Sequence, residues 1–229
     1  MQLPITVLSS MATRQLLADL AVAWEQHSSQ PVAVESVGGV DAARRVQAGE
    51  VVDLVVLASD AIDKLMASGH LQAGSRVDLV RSPVALAGRA GAPRPDIATE
   101  ASLRQAVLAA RSIGYSTGPS GAHLARLFER WGLAERFKTQ AVQAPPGVPV
   151  ASLVAGGTVE LGFQQLSELQ GQPDVDVLGL LPAGCDFITT FSAAACPAAP
   201  QPSAAAALLR FITAPERAEL VRRHGMQPA

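Results

Sequence analysis

Hydrophobic positions along the chain follow two alternating spacings. Short unbroken apolar runs predict strands, and apolar residues three or four positions apart predict helices. "ITVLSS" at residues 5–10 is such a run, and Leu17, Leu20 and Trp24 then share one face of a predicted helix. "VVDLVVLAS" at residues 51–59 is apolar at nearly every position, which is typical of a parallel strand covered on both faces. The first third of the chain therefore predicts an open α/β sheet.

The rest of the chain repeats this alternation. Further strands are predicted at "SIGYS", "FKTQAVQ", "TVELGFQQ" and "DVDVLGLL", with helices between the first three. Asp60 is expected to cap the helix after the third strand of the chain. Pro215 is expected to begin a new helix near the carboxyl terminus, because proline is disfavoured inside one.

Two long segments, "VDLVRSPVALAG" and "FITTFSAAAC", lie where the chain passes between the two α/β units. The predicted fold is therefore α/β with two lobes, a hinge and a ligand cleft between the lobes. Lobe 1 comprises residues 1–80 and 190–229, and lobe 2 comprises residues 81–189. Ligands of open α/β sheets bind beyond the carboxyl ends of the strands, so helix starts of both lobes are expected to line the cleft.

Composition narrows the classes of partner. The 229 residues carry 18 basic and 20 acidic side chains, a formal net charge of −2, which gives no reason to expect nucleic acid as a partner. No apolar run reaches the roughly 18 residues of a membrane span, so direct membrane insertion is not expected. The opening "MQLPITVLSS" lacks the pattern of a signal peptide. We expect a cytoplasmic protein if Met1 is the natural start, and a periplasmic one if a leader was removed.

The sequence motifs do not indicate a bound metal or cofactor. Cys185 and Cys196 flank a β-forming segment that would hold them about 35 Å apart, so both are expected to be unpaired apolar fillers. The four histidines have no metal-ligand spacing. "GPSGAH" lacks the lysine of a phosphate-binding loop, and no dinucleotide fingerprint or hydrolase elbow occurs. We therefore expect neither a metal nor a cofactor.

Serines and glycines gather where predicted strands give way to helices. They are Ser9 and Ser10 after the first strand, Ser36, Gly38 and Gly39 after the second, Ser116, Gly118, Ser120 and Gly121 in "GYSTGPSGAH", and Gly147 before a later helix. Helix starts leave backbone N–H groups unpaired and carry a partial positive charge, and glycines and hydroxyls let an anion approach them closely. The alternative is that these residues are ordinary caps and turns.

The same segments resemble a known family. "ITVLSSMATRQLLADLAVAWEQ", "VQAGEVVDLVVLAS" and "GPSGAHLARLFERWG" are similar to the type II periplasmic solute-binding proteins, and among them to the molybdate-binding family, over essentially the whole chain. "RSPVALAGRAGAPRPDI" and "LGFQQLSEL" resemble a branch that includes aconitate isomerase. The resemblance implies the two-lobed type II fold, an anionic ligand that is either an oxyanion or a tricarboxylate, and a membrane transporter as partner.

Departures from the molybdate-binding pattern bear on the ligand. Gly38 and Gly39 stand where that family has serines, and Gln165 stands where it often has a ligand tyrosine. A dehydrated oxyanion needs nearly every oxygen satisfied, so the loss of hydroxyl donors argues against molybdate. Arg81 could instead form a two-pronged pair with a carboxylate, beside Ser82 on the predicted crossover, although an ion pair within the protein would also explain it.

Two function classes follow. The first is a binding protein that passes a small anion to a transporter or sensor. The second is a cofactor-free isomerase of an unsaturated tricarboxylate, which needs a base with a suitable pKa. His123, in the first turn of the predicted anion-binding helix, is our candidate for that base, and Asp41, Glu35 and Tyr115 are the alternatives.

Overall fold

The computed structural model describes residues 2–229, which form ten strands and ten α-helices. The strands are β1 (Ile5–Ser10), β2 (Val32–Val37), β3 (Leu54–Ala58), β4 (Val77–Arg89), β5 (Ile113–Tyr115), β6 (Ala141–Gln143), β7 (Leu161–Gln165), β8 (Val175–Leu180), β9 (Ile188–Ala195) and β10 (Gln227–Pro228). The helices are α1 (Arg14–Ser28), α2 (Gly39–Gln47), α3 (Ser59–Ala67), α4 (Glu100–Ala109), α5 (Pro119–Arg130), α6 (Ala134–Gln140), α7 (Val150–Ala155), α8 (Leu166–Leu169), α9 (Pro202–Ile212) and α10 (Ala218–Arg223). Short 3₁₀ turns precede α1 and α10.

The chain forms two compact units. The first contains the residues up to Arg81 together with Thr190–Ala229, and the second contains Ser82–Thr189. β4 and β9 each begin in one unit and end in the other. Each unit has its own sheet and its own hydrophobic clusters.

The first unit is built on a mainly parallel sheet. β1 pairs in parallel with both β2 and β3, and β9 pairs antiparallel with β3. Every residue of β3 is buried, and its alternate side chains enter two different clusters: Leu54 and Val56 pack with Trp24, whereas Val55 and Leu57 pack with Ile62. This two-sided burial explains why the segment is apolar without interruption.

The second unit places three parallel strand ends side by side. β5 lies between β6 and β7 and is parallel to both, and β7 pairs antiparallel with β4. One large cluster, which includes Phe128, Trp131 and Phe163, packs against this sheet. The carboxyl ends of β5, β6 and β7 therefore share one edge, from which α5, α7 and α8 start.

One strand prediction was wrong in its first half. "FKTQAVQ" was expected to be a strand, but α6 continues to Gln140 and the strand is confined to Ala141–Gln143. Arg136 Nε donates to Gln140 Oε1 at 2.8 Å, a contact that the four-residue helical spacing allows, and Gln140 Nε2 donates to the Val107 carbonyl at 2.9 Å. These bonds satisfy a buried glutamine and keep the segment helical.

Other local predictions can also be compared with the structure. The helix cap at Asp60 was wrong, because Ala58 is the N-cap of α3 and Asp60 lies inside its first turn. Pro215 does begin a new turn after α9, as expected. Cys185 and Cys196 are buried and unpaired, also as expected. None of the helices in residues 2–229 has the length and apolar character that a membrane crossing requires.

Candidate functional site

In the first unit, polar residues end two neighbouring parallel strands. Ser9 in β1 is in register with Ser36 in β2, and their Oγ atoms lie 2.7 Å apart. The two hydroxyls therefore hydrogen-bond each other. Ser9 is fully buried, so this bond satisfies a side chain that would otherwise be costly in the interior.

The next residue, Ser10, is in a different state. Its side chain is buried, and its Oγ has no hydrogen-bond partner among the described residues. Gly38 is the N-cap of α2 and Gly39 is the first residue of that helix. A Cβ on Gly39 would lie 3.7 Å from the Ser10 Cβ, so the start of α2 lies directly beside this hydroxyl.

In the second unit, "GYSTGPSGAH" forms the end of β5 and the start of α5. Gly118 is the N-cap and Pro119 the first helical residue. The Oγ atoms of Ser116 and Ser120 lie 3.0 Å apart, and the Gly118 N–H donates to Ser116 Oγ at 3.3 Å. Gly121 is required by packing, because a Cβ there would overlap the Ser116 carbonyl oxygen.

A second polar group lies on β4, β7 and β9. Ser82 and Gln165 are buried, and neither Ser82 Oγ nor Gln165 Oε1 has a partner within residues 2–229. Gln165 Nε2 donates to Thr189 Oγ1 at 2.7 Å. Val84 is in register with Gln165. Ser82, two residues before Val84, projects to the same face of the sheet because side chains alternate along a strand.

Gly147 and Arg81 occupy exposed positions. Gly147 has a φ of 78° and lies in the turn that the Val148 N–H closes onto the Pro145 carbonyl. Positive φ favours glycine, and the residue lies two positions before the N-cap of α7, Pro149. Arg81 is exposed and in register with Gln227 of β10, and its charge contributes to lowering the pKa of Asp78.

The histidine chosen as a candidate base is already engaged. His123 Nε2 donates to the Cys185 carbonyl oxygen at 3.0 Å, and the imidazole stacks on Phe187 with ring centroids 4.5 Å apart. A carbonyl can only accept, so Nε2 carries the proton. Any proton acceptance by His123 would therefore fall to Nδ1.

The alternative bases are placed differently. Glu35 is exposed and paired with Arg45, whose hydrogen bonds hold the pKa of Glu35 below its usual value. Asp41 pairs with Arg44 on the first turns of α2. Tyr115 packs its ring against Phe137, with centroids 5.1 Å apart. A carboxylate with a lowered pKa is a weaker base, so the pairing with Arg45 makes Glu35 less suitable for that role.

Glu168 is a titratable group that the sequence reasoning missed. Its Oε2 accepts from Gln164 Nε2 at 2.7 Å, and Gln164 Oε1 accepts from the Val150 N–H at 2.9 Å, at the start of α7. Desolvation raises the pKa of Glu168 to about 7, against the opposing effect of the Gln164 hydrogen bond. The four-residue spacing of Gln164 and Glu168 was visible in "LGFQQLSEL", but their burial was not.

The described residues of the candidate site do not form a metal-binding arrangement. Within residues 2–229, no three histidine, cysteine, aspartate or glutamate side chains come together in an arrangement that could hold a metal ion. The polar groups at the strand ends of the two units are instead hydroxyls, amides and backbone N–H groups. These are hydrogen-bonding partners for an anion or a polar organic molecule.

Unpartnered atoms concentrate on the predicted ligand residues. Over the described part of the chain, five buried side-chain atoms lack a hydrogen-bond partner, and three of them are Ser10 Oγ, Ser82 Oγ and Gln165 Oε1. Leaving a buried polar group unpaired costs about 1–3 kcal/mol. Native proteins therefore retain few such groups, and each calls for an explanation.

Comparison with known proteins gives a match over nearly the whole chain. A family model described as bacterial extracellular solute-binding protein matches residues 5–227. The chain is also similar to an aconitate isomerase from a Pseudomonas species, with 37% identity over 230 residues that cover 98% of this chain and 87% of that protein.

Solved structures show the same fold at low identity. The periplasmic molybdate-binding protein of Azotobacter vinelandii has a TM-score of 0.81 at 17% identity, covering 97% of this chain and 98% of its own. The sulfate-binding protein of Mycobacterium tuberculosis has a TM-score of 0.79 at 17% identity, covering 99% and 87%. The tungstate ABC transporter structure from Geobacter sulfurreducens has a TM-score of 0.71 at 19% identity, covering 96% and 98%. The α/β fold is that of the periplasmic binding proteins.

Proposed function

The chain belongs to the bacterial extracellular solute-binding proteins, and from this premise we propose that it captures a small organic polycarboxylate of the aconitate class. The family match agrees with the resemblance inferred from the sequence. Each unit offers groups for such a ligand. The first has the Ser10 hydroxyl, the backbone at the start of α2 and Arg81, and the second has the hydroxyls of Ser82 and Ser120, the Gln165 amide and the backbone at the start of α5.

The unpartnered Ser10, Ser82 and Gln165 atoms carry this proposal. Ser10 was selected from its position after the first predicted strand, Ser82 from the predicted crossover, and Gln165 from the position where the resembled family often has a ligand tyrosine. They carry three of the five buried unpartnered side-chain atoms in residues 2–229. A ligand that bonds them would remove a cost of about 1–3 kcal/mol for each group. The three unpartnered atoms therefore support a role in binding over a role as caps or turn residues.

Three observations support the choice of an organic anion. Gly38, Gly39 and Gln165 stand where the molybdate-binding family has hydroxyl donors for its oxyanion, and Arg81 has an exposed guanidinium. Arginine matches carboxylate geometry with two parallel hydrogen bonds. In addition, the relative with 37% identity is named for an action on aconitate.

A second candidate function is isomerisation of such an acid, and the same relative favours it. The reaction would remove a proton from one end of an allylic unit and return a proton at the other end, so that the double bond moves without any net oxidation. A base with a pKa near neutrality suits this step. His123 and Glu168 are the side chains to test for that role.

A transporter partner is part of the proposal for binding. The solved relatives include a structure of a tungstate ABC transporter, and a binding protein of such a system would deliver its ligand to the membrane component. An isomerase would need no such partner. Turnover of the ligand therefore separates the two candidates.

The deciding experiment is a thermal-shift screen followed by proton NMR. Citrate, tricarballylate, both aconitate isomers, sulfate, molybdate and tungstate would each be titrated into the purified protein, and a ligand of the folded state raises the melting temperature with concentration. We expect polycarboxylates to give the largest shifts. NMR spectra of each aconitate incubated with the protein then report any conversion. No shift with any of these anions would refute the proposal.

A further inference from the structure

The polar group of Ser82, Gln165 and Thr189 in the second unit contains both a hydroxyl and an unused carbonyl acceptor. Ser82 is 0%, Gln165 3% and Thr189 5% exposed. Gln165 uses its amide nitrogen as the donor to Thr189 Oγ1 at 2.7 Å. Its carbonyl oxygen, Oε1, has no partner in the described residues, and neither has Ser82 Oγ.

The strand pairing brings these side chains to one face. Val84 lies opposite Gln165 in the antiparallel pair of β4 and β7. The Val84 N–H donates to the Phe187 carbonyl, two residues before Thr189, and Ser82 lies two residues before Val84. Because side chains alternate along each strand, Ser82 and Gln165 present their unpartnered atoms on the same side of the sheet as Thr189.

A buried carbonyl oxygen discriminates between anions. It can only accept a hydrogen bond. Sulfate, molybdate and tungstate are fully deprotonated at neutral pH and can also only accept, so they would leave Gln165 Oε1 unpaired and face it with like partial charge. An acceptor that is desolvated without a partner costs free energy, whereas a ligand donor placed there recovers it.

We propose that Gln165 selects an anion that carries its own O–H donor, so that the preferred ligand class is a hydroxycarboxylate. Gln165 Oε1 accepts from the ligand hydroxyl, while the Ser82 hydroxyl donates to a ligand carboxylate oxygen. This inference rests on the proposed anion-binding function and narrows its ligand. Donor-poor oxyanions are disfavoured by the same carbonyl.

Citrate and tricarballylate provide a matched test, because they differ only by the hydroxyl on the central carbon. We expect isothermal titration calorimetry to give a dissociation constant for citrate about tenfold or more lower than that for tricarballylate, as befits a hydrogen bond to a buried acceptor. Equal constants, or tighter binding of tricarballylate, would overturn the inference while leaving polycarboxylate binding intact. No binding of citrate, tricarballylate or either aconitate isomer would instead refute the proposed function.

Two variants assign the effect to its atom. Gln165→Met removes the amide and keeps the chain length, and it should bring the ratio of the two constants close to one, mainly by weakening citrate. Ser82→Ala should weaken both acids and keep the ratio. A ratio that collapses in Ser82→Ala but persists in Gln165→Met would place the acceptor at Ser82 and overturn the assignment to Gln165.

Control experiments show whether a variant loses affinity because it misfolds or because it loses a contact with the ligand. Gln105→Met changes an exposed glutamine on α4 and should leave both dissociation constants unchanged. Circular dichroism and thermal melts of each variant show whether it is folded. The wild-type ratio of citrate to tricarballylate tests the inference even if Gln165→Met fails to fold.

Discussion

The hydroxyls of Ser9 and Ser36 lie 2.7 Å apart and join the ends of β1 and β2. The two residues are 27 positions apart in the chain and are brought together by the parallel register of the strands. This bond assigns Ser9 to the architecture of the first unit. It leaves the adjacent Ser10, with its unpartnered Oγ, as the serine of this pair that is available to a ligand.

Ser10→Ala should weaken anion binding by about 1–3 kcal/mol with little change in stability, because the lost hydroxyl has no partner within the protein. Ser36→Ala should show the opposite pattern, with a loss of about 1 kcal/mol of unfolding free energy and nearly unchanged affinity. Calorimetric titration with the best anion of the screen, together with urea denaturation, measures both quantities. Unchanged affinity in Ser10→Ala would remove Ser10 from the site.

Gly121→Ala should destabilise the second unit by about 2 kcal/mol or more. The added Cβ would overlap the carbonyl oxygen of Ser116, so β5 and α5 would have to separate, and overpacking of this kind is costly. Ala122→Gly, at the exposed neighbouring position of α5, should cost only about 1 kcal/mol, from helix propensity. Urea denaturation of both variants checks the contrast, and equal losses would contradict the packing role of Gly121.

Glu168→Gln should remove a pH dependence of stability. Desolvation raises the pKa of Glu168 from 4.5 to about 7 in the folded protein, so the folded state binds a proton more tightly than the unfolded state. Its contribution is therefore fully present below about pH 4.5 and declines as the pH rises through 7, by roughly 1–3 kcal/mol.

The glutamine variant keeps an acceptor for Gln164 and carries no charge, so it should exceed the wild type in melting temperature at pH 8 and approach it at pH 5. Glu129→Gln, an exposed position on α5, is the matched control and should follow the wild type at both pH values. A wild-type and Glu168→Gln difference that does not grow with pH would show that Glu168 titrates normally.

Asp53→Ala should cost about 3 kcal/mol of stability in the first unit. The carboxylate is fully buried and accepts from the Thr6 N–H at 2.8 Å and from the Gln201 N–H at 2.6 Å. Its removal leaves two backbone donors without an acceptor. Asp60 forms an exposed ion pair with Lys64 at 3.7 Å on α3, so Asp60→Ala should change stability by less than about 0.5 kcal/mol. Chemical denaturation of both variants tests this difference.

Much of the fold could be predicted because its signals are local. The apolar run at Leu54–Ala58 became a strand buried on both faces, and Pro215 began a new turn. The prediction was wrong at "FKTQAVQ", where Gln140 continues the helix because its amide reaches the Val107 carbonyl. That contact spans 33 positions of the chain, and nothing in the local pattern reports it.

The residues of the candidate site also differ in how far the sequence could identify them. Ser82 and Gln165 were selected from the sequence, and both have unpartnered buried atoms. Gly121 was selected as a ligand residue, and packing against Ser116 is sufficient to explain it. Glu168 was missed, because the burial that raises its pKa depends on how α7 and α8 pack on the sheet and not on its neighbours in the chain.

The amino-acid sequence by itself determined the alternation of strands and helices, the family, and the placement of serines, glycines and glutamines after strands, because periodicity and turn chemistry act over a few residues. Only the tertiary structure decided which of those polar groups are satisfied. Strand register pairs Ser9 with Ser36, and the Gln165 amide reaches Thr189, whereas Ser10 Oγ, Ser82 Oγ and Gln165 Oε1 have no hydrogen-bond partner in residues 2–229. Hydrogen bonds between distant side chains depend on that register, which no short stretch of the chain contains.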